Sequence, residues 1–350
     1  MSIYKLKAPI KNYIWGGTRL RDRYGKAGDE PLAESWELSF HPDGMTALAD
    51  GRFLNEALSL SELGENCAAF SNFPLLVKLI DAKQSLSVQV HPSDAYALKH
   101  EGSYGKTEMW YIVEADEGAG IYLGFKRETS EREIREATEN ASLEKLLNFV
   151  PVQKGECYFI PAGTVHAIGS GCLICEVQQN SNLTYRIYDY GRKDSSGNLR
   201  PLHTEKALAV MKRAPYQASL TFLPVYGEKT LGISRYFHTS LLSVEGECKL
   251  YVDPSSFKAL FCVAGAGTVG PEPVKCGDSV LISAGEGDVL LKGEARFVAV
   301  SVRKYTVTQS ETEIALVDDL GRIHAKCDGF KSIESFLSYY HLTKDDVEIC

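Results

Sequence analysis

Apolar and polar residues alternate in short runs along most of the chain. Tyr111-Ile112-Val113 and Ile121-Tyr122-Leu123 are strand-like, and Gly, Asp and Pro separate such runs over residues 1–125. Helical spacing replaces the alternation at 129–149. There Ser130 and Glu133 form a capping-box pattern, and Leu143, Leu146 and Leu147 follow. Strand character returns at 155–190. A second helix is predicted from Thr204, with Ala207, Leu208, Val210 and Met211 on its apolar side. From about 217 to Val302 the chain again reads as β, and Lys331–His341 has helical spacing with Phe336, Leu337 and Tyr340 on one face. Short strands broken by turns, with brief helices between them, predict β-sandwiches rather than βαβ units.

The β pattern contains a repeat. Gly155, five residues and Pro161-Ala162-Gly163-Thr164-Val165-His166 are matched by Gly277, five residues and Ser283-Ala284-Gly285-Glu286-Gly287-Asp288. Both copies predict a turn glycine, a strand, a tight turn and a second strand. His166 opens that second strand in the first copy, and Asp288 stands in its place in the second. A duplicated β-module whose second copy has lost a metal ligand accounts for the pattern. The alternative is two unrelated Gly-rich hairpins.

The 350 residues suggest two modules of roughly 100–200 residues each. No apolar run approaches the ~20 residues of a membrane span, and the start lacks the apolar core of a signal peptide. Nine cysteines at irregular spacing argue against a disulfide framework, so a reducing, cytoplasmic setting is expected. The formal net charge of -8 argues against nucleic acid as a partner. It also sets a condition: a phosphorylated ligand must be held by locally converging cations.

The strongest local chemical signal is Ser87-Val88-Gln89-Val90-His91-Pro92. In a strand, Ser87, Gln89 and His91 share one face while Leu86, Val88 and Val90 share the other. That reads as a site wall backed by core, and equally as a half-exposed surface strand. Glu108, opening the strand-like run Trp110–Val113, and His166, after its Pro-x-Gly turn, favour the first reading. Two imidazoles, a carboxylate and an amide oxygen make a ligand set suited to Zn²⁺ with a position left for water or substrate. The other histidines (His41, His100, His203, His238, His324 and His341) are read as ordinary core or surface residues.

Gly155-x5-Pro161-x-Gly163-x2-His166 resembles the second cupin motif without its closing Asn, and Gln89-x-His91 stands where the first cupin motif has His-x-His. This combination is similar to the type I phosphomannose isomerases. So are Trp15-Gly16-Gly17, Ala33-Glu34-Ser35-Trp36-Glu37, His41-Pro42-Asp43-Gly44, Gly105-Lys106-Thr107-Glu108-Met109 and Tyr185-Arg186-Ile187-Tyr188-Asp189-Tyr190. The likeness is strong over about 5–215 and holds in outline over 216–303. It implies a mainly β protein of two cupin-like jelly-roll modules. The catalytic module would span 1–215, with helical insertions at about 129–149 and 204–213; a metal-free module would span 216–303, and an extension of unread role 304–350. It further implies one zinc per chain held by Gln89, His91, Glu108 and His166, a catalytic arginine at Arg186, contacts to the substrate phosphate from Lys78, Ser87 and Lys106, and an acidic residue, Glu176, lining the substrate pocket. The implied reaction interconverts mannose 6-phosphate and fructose 6-phosphate through an enediolate. Its general base is left open between Glu176, a histidine and a metal-bound water. The small sugar phosphate is the only partner the reading requires, so a monomer suffices. Lys106 alone, and still more Lys83, would otherwise read as solvated surface charges.

Two further motifs are set aside. Gly265-Ala266-Gly267-Thr268-Val269-Gly270 fits a dinucleotide fingerprint, but Pro271 and Pro273 follow where a helix must start. Cys172-Leu173-Ile174-Cys175 lies in an apolar strand pattern, so a redox pair is not expected. The competing functions are an iron or manganese cupin oxygenase or epimerase, which would want the His-x-His, and a sugar-phosphate-binding paralogue, which would be expected to lack a ligand or Arg186.

Overall fold

In the computed structural model, residues 2–193, 197–216, 227–310, 313–327 and 332–349 are described. The architecture is mostly β, arranged as stacked sheets. One sheet of five strands takes the order Tyr185–Tyr188, Val88–Val90, His166–Ile168, Gly120–Phe125, Leu147–Pro151. A six-stranded sheet takes the order Cys157–Ile160, Glu108–Ala115, Cys172–Gln179, Leu75–Ala82, Glu34–Leu38, Ile10–Lys11. Ile80, Trp110, Ile112 and Ile174 from the second sheet pack on Ile121, Leu123 and Ile168 from the first, which makes a sandwich.

The opposite face of the six-stranded sheet is buried as well. Leu75, Val77, Leu79, Met109, Tyr111, Cys175 and Val177 share a core with Phe261, Leu281 and Val298 of an eight-stranded sheet, and with Phe237 and Phe257 just ahead of two of its strands. This explains why every residue of Leu75–Ala82 and Cys172–Gln179 is buried. A strand covered on both faces has no polar side to alternate. It also explains the CxxC sequence. Three residues apart on one strand, Cys172 and Cys175 point to opposite faces and lie in different cores.

The eight-stranded sheet carries the second repeat and encloses its own core, which includes Leu250, Leu260, Val280, Leu291 and Phe297. Its membership departs from a division of the chain at 215. The first strand, Ile3–Lys7, pairs antiparallel with Ser279–Ile282, Ile3 lying opposite Ile282. The expected β character from 217 is seen from Glu228 onward, residues 217–226 lying outside the described set. The Gly265–Gly270 motif sits on the long strand Lys258–Val269. A side chain at Gly265 or Gly267 would meet the neighbouring strand's carbonyls at 1.9 and 2.0 Å, so these glycines permit close strand approach.

The capping box at Ser130 and Glu133 is formed, but the helix runs only over Glu131–Glu139. The backbone turns left-handed at Ala141 (φ 53°), and Leu147 opens a strand paired with Phe125. The helical expectation for Leu146 and Leu147 is therefore corrected: their spacing reflects core packing in a 3₁₀ turn and strand. The helix from Thr204 ends at Val210. Beyond 304, four short strands and the helix Ile333–Tyr339 enclose a separate small core with Phe336, Leu337 and Tyr340. Lys331 lies outside the described residues. No described helix is long and apolar enough to cross a membrane.

Candidate active site

Two transverse rows of side chains, one from each sheet of the first sandwich, build the site. In the five-stranded sheet the register places Arg186 opposite Gln89, Gln89 opposite His166 and His166 opposite Leu123. In the six-stranded sheet it places Trp36 opposite Lys78, Lys78 opposite Glu176 and Glu176 opposite Trp110. Residues opposite one another in an antiparallel pair share a face, so each row is a continuous wall. Glu108 stands two residues before Trp110 and joins the second wall. It faces His166 across the sandwich, so its strand is not a hydrogen-bonded neighbour of the strand Val88–Val90. The strand itself is shorter than the alternation implied. Val88 and Val90 enter one core while Leu86, ahead of the strand, enters another and lines the cavity.

Where the walls meet, His91, Glu108 and His166 offer ligand atoms all within 4.8 Å of one another. All three side chains are buried. His91 Nδ1 lies 2.9 Å from the Leu183 carbonyl and His166 Nδ1 lies 2.9 Å from the Thr164 carbonyl. A carbonyl only accepts, so both rings carry their proton on Nδ1 and turn an Nε2 lone pair into the cluster. Glu108 Oε1 is 3.2 Å from His166 Nε2 and, though buried, has no hydrogen-bond partner. Converging unprotonated acceptors repel one another unless a cation stands between them. Two nitrogens and a carboxylate are the donor set of a borderline divalent ion, so the residues fit a metal. Among the described residues this is the one such group. Gln89 Nε2 lies 3.4 Å from His166 Nε2 at the edge of the cluster.

The electrostatics agree. Burial, and then the Lys106 ammonium, hold His91 well below the ordinary imidazole range and His166 at about 4, so both rings stay neutral donors at pH 7. Burial and the negative Glu176 push the Glu108 carboxyl up, with Lys106 opposing. Burial would likewise raise Glu176, but Lys106, Lys78 and the Trp110 indole outweigh it and keep that carboxyl low. The two carboxyls thus titrate apart.

Beside the cluster lies a cavity of about 270 Å³, lined by the cluster's neighbours Gln89 and Lys106. All four residues expected to contact substrate (Lys78, Ser87, Lys106 and Glu176) line it, as do Gln89 and Arg186. Lys106, whose isolated reading was a surface charge, is buried. Its Nζ pairs with Glu108 and lies 3.4 Å from Glu176 and 3.3 Å from His91 Nε2. Lys78 Nζ lies 3.4 Å from Glu34 and 3.9 Å from Glu176, above the Trp36 ring. Lys83 is exposed. The cavity also has Tyr13, Trp15, Glu34, Thr184 and Arg200 on its wall, to which the sequence reading gave no role. Trp15 and Glu34 belong to quoted motifs; Arg200 had no local signal.

The second repeat copy reproduces the backbone and not the site. Gly155 and Gly277 have φ of 93° and 91°, and the turn glycines Gly163 and Gly285 have 88° and 78°. Asp288 points outward instead, its side chain 56% exposed and 3.2 Å from Lys249.

Comparison with known proteins places this geometry. The family model for the type I phosphomannose isomerase catalytic domain matches residues 3–116, and that for the mannose-6-phosphate isomerase cupin domain matches 227–302. The chain is 38% identical to a mannose-6-phosphate isomerase of Streptococcus mutans, over 79% of this chain and 91% of that protein. It is 36% identical to the mannose-6-phosphate isomerase ManA of Bacillus subtilis, over 83% and 96%. A crystal structure of the Bacillus subtilis mannose 6-phosphate isomerase superposes with a TM-score of 0.77 at 34% identity, covering 86% of this chain and 99% of the other. With family models, curated relatives and a superposed crystal structure in agreement, the chain belongs to the type I mannose-6-phosphate isomerases.

Proposed function

We propose that the chain interconverts mannose 6-phosphate and fructose 6-phosphate through an enediolate, with one zinc ion held by His91, Glu108 and His166. The single observation that carries the metal reading is the convergence of two Nε2 lone pairs on the buried Glu108 carboxylate, His166 on the unpartnered Oε1 and His91 on Oε2. Gln89 completes the set if its amide is turned so that Oε1 faces the cluster, a rotation that exchanges nearly isosteric atoms. When bound, zinc supplies Lewis-acid stabilisation of the sugar oxygens on which negative charge develops, and orients the open chain.

The chain's own residues account for the rest. Arg186 stands one strand from Gln89, and its buried Nε has no hydrogen-bond partner. A guanidinium so placed stabilises negative charge developing on the enediolate oxygens. With their Nε2 lone pairs turned to the metal, the two histidines would not serve as the base. Glu176 remains for that role. Its Oε2 is fixed by Trp110 at 2.8 Å, while Oε1 faces Lys106 and Lys78. Held ionised in a buried site, it can take the proton from one sugar carbon and return it to the next, with Lys106 balancing the charge. Ser87 and Lys78 hold sugar hydroxyls at the cavity wall.

A coupled assay of mannose 6-phosphate isomerisation tests this reading, run before and after chelation and after zinc is returned. Activity lost with the chelator and restored by zinc supports it; full activity in protein shown to be metal-free would overturn the zinc assignment.

A further inference from the structure

The cavity is electrically polarised along its length. At the inner end, Glu34 and Glu176 on the wall and Glu108 behind it hold the two ammoniums of Lys78 and Lys106. Each lysine is already held between two carboxylates, so neither ammonium is free to take up a phosphate.

The outer end is the reverse. Lys193 and Leu199 form an antiparallel bridge that brings Arg192 and Arg200 together on one carboxylate, Asp189. Arg200 donates from Nε at 2.7 Å and from Nη2 at 2.5 Å. Arg192 donates to Asp189 as well and to the Ser85 carbonyl at 2.6 Å. The segment after Arg200 runs along the strand Tyr185–Tyr188. Arg186 Nη1 donates to the Pro201 carbonyl at 3.0 Å, and the His203 amide donates to the Arg186 carbonyl at 2.7 Å. Two guanidiniums, those of Arg192 and Arg200, therefore share one carboxylate at this end. Arg200 lines the cavity itself, while Arg192 backs it.

A six-carbon sugar phosphate has the same polarity. Its reacting carbons, C1 and C2, lie at one end and its dianion on C6 at the other. With the reacting end at the metal cluster, the phosphate must reach away from it, toward the surplus positive charge.

We propose that Arg200, oriented by Asp189, holds the substrate phosphate and is the residue that selects phosphorylated over unphosphorylated sugar. The proposal rests on the isomerase reading above and moves the phosphate from Lys78 and Lys106 to the arginine end. A guanidinium fixed through one edge by a carboxylate is pre-oriented for charge-assisted, bidentate contact with phosphate oxygens. Because C6 is remote from the reacting bonds, that contact is equally strong in the ground and transition states. Its loss should therefore appear in KM rather than kcat.

The test compares the zinc-loaded full chain with Arg200→Ala and Arg200→Lys, by steady-state kinetics on mannose 6-phosphate and by calorimetric titration of inorganic phosphate. In R200A the KM should rise about 10- to 100-fold, the loss expected for a charge-assisted contact, with kcat within roughly threefold of the parent. Phosphate affinity should weaken in parallel, zinc content should not change, and R200K should fall between the two. R200K keeps the experiment decisive if R200A does not fold. Unchanged KM and phosphate affinity, or a fall in kcat alone, would overturn the proposal. Phosphate titration reads the subsite even without turnover. An inactive parent whose phosphate binding still depends on Arg200 would sink the isomerase reading and leave the subsite standing; an active parent indifferent to R200A would do the opposite.

Discussion

The hairpin from Gly155 to His166 and the hairpin from Gly277 to Asp288 share left-handed turn glycines, yet only the first ends in a buried cluster of potential ligands. Both use left-handed glycines at the same two places. The difference lies in what each second strand faces. His166 is buried against the six-stranded sheet, with Trp110 edge-on at 5.4 Å and Glu108 across from it. Asp288 faces solvent and a lysine. A β-module thus supplies position, and a ligand becomes a site only where a second wall closes over it.

The sharpest way to break this comparison is to truncate the two matched positions. His166→Ala should lose the bound metal and, with it, at least ~10³-fold in kcat, because every step depends on the cluster. Asp288→Ala should leave metal content and turnover at parental values and change stability by less than about 1 kcal/mol, as an exposed ion pair does. Metal analysis and the coupled assay on both variants read the contrast. Within the first module, Arg186→Ala should lower kcat by ~10²–10³ while retaining the metal, the loss typical of a charge-stabilising group. Parental turnover would remove Arg186 from the mechanism.

Substitution inside the second module should move stability instead. Phe297 is 1% exposed in the core of the eight-stranded sheet, and Phe297→Ala should cost ~3–5 kcal/mol, read as a fall in the denaturation midpoint. Its kcat, measured well below the new midpoint, should remain near the parental value. The smallest effect concerns the C-terminal sheet. Burial alone would raise the Asp318 carboxyl, but the His324 hydrogen bond at 2.9 Å and Arg322 outweigh it and bring it to about 2. A carboxyl held low in the fold stabilises fully above its unfolded value near 3.8 and loses that contribution as pH falls toward 2. Acid titration followed by fluorescence should show on the order of 1–2 kcal/mol lost across that window, and Asp318→Asn should flatten it.

How much of this was legible in the sequence depended on range. The turn before His166 and the capping box at Ser130 are local and formed, and the alternation around Gln89 formed over Val88–Val90 alone. The strands Leu75–Ala82 and Cys172–Gln179 hid their role because burial on both faces erases the period of two. Lys106 read as a surface charge because its burial depends on distant segments: beyond the nearby Glu108, it meets Glu176 seventy residues away on another strand. Arg200 reaches the site only through the Lys193–Leu199 bridge and its pairing with Asp189. The first strand's place beside Ser279–Ile282 likewise follows from sheet completion, which no local pattern encodes.

The central claim is a single metal centre at the meeting of two sheet walls. Metal content of the purified full chain, measured by mass spectrometry beside His166→Ala and Asp288→Ala, addresses it most directly. The account predicts one zinc per chain in the parent and in D288A, and none in H166A. Zinc retained in H166A at full stoichiometry, or lost in D288A, would contradict it.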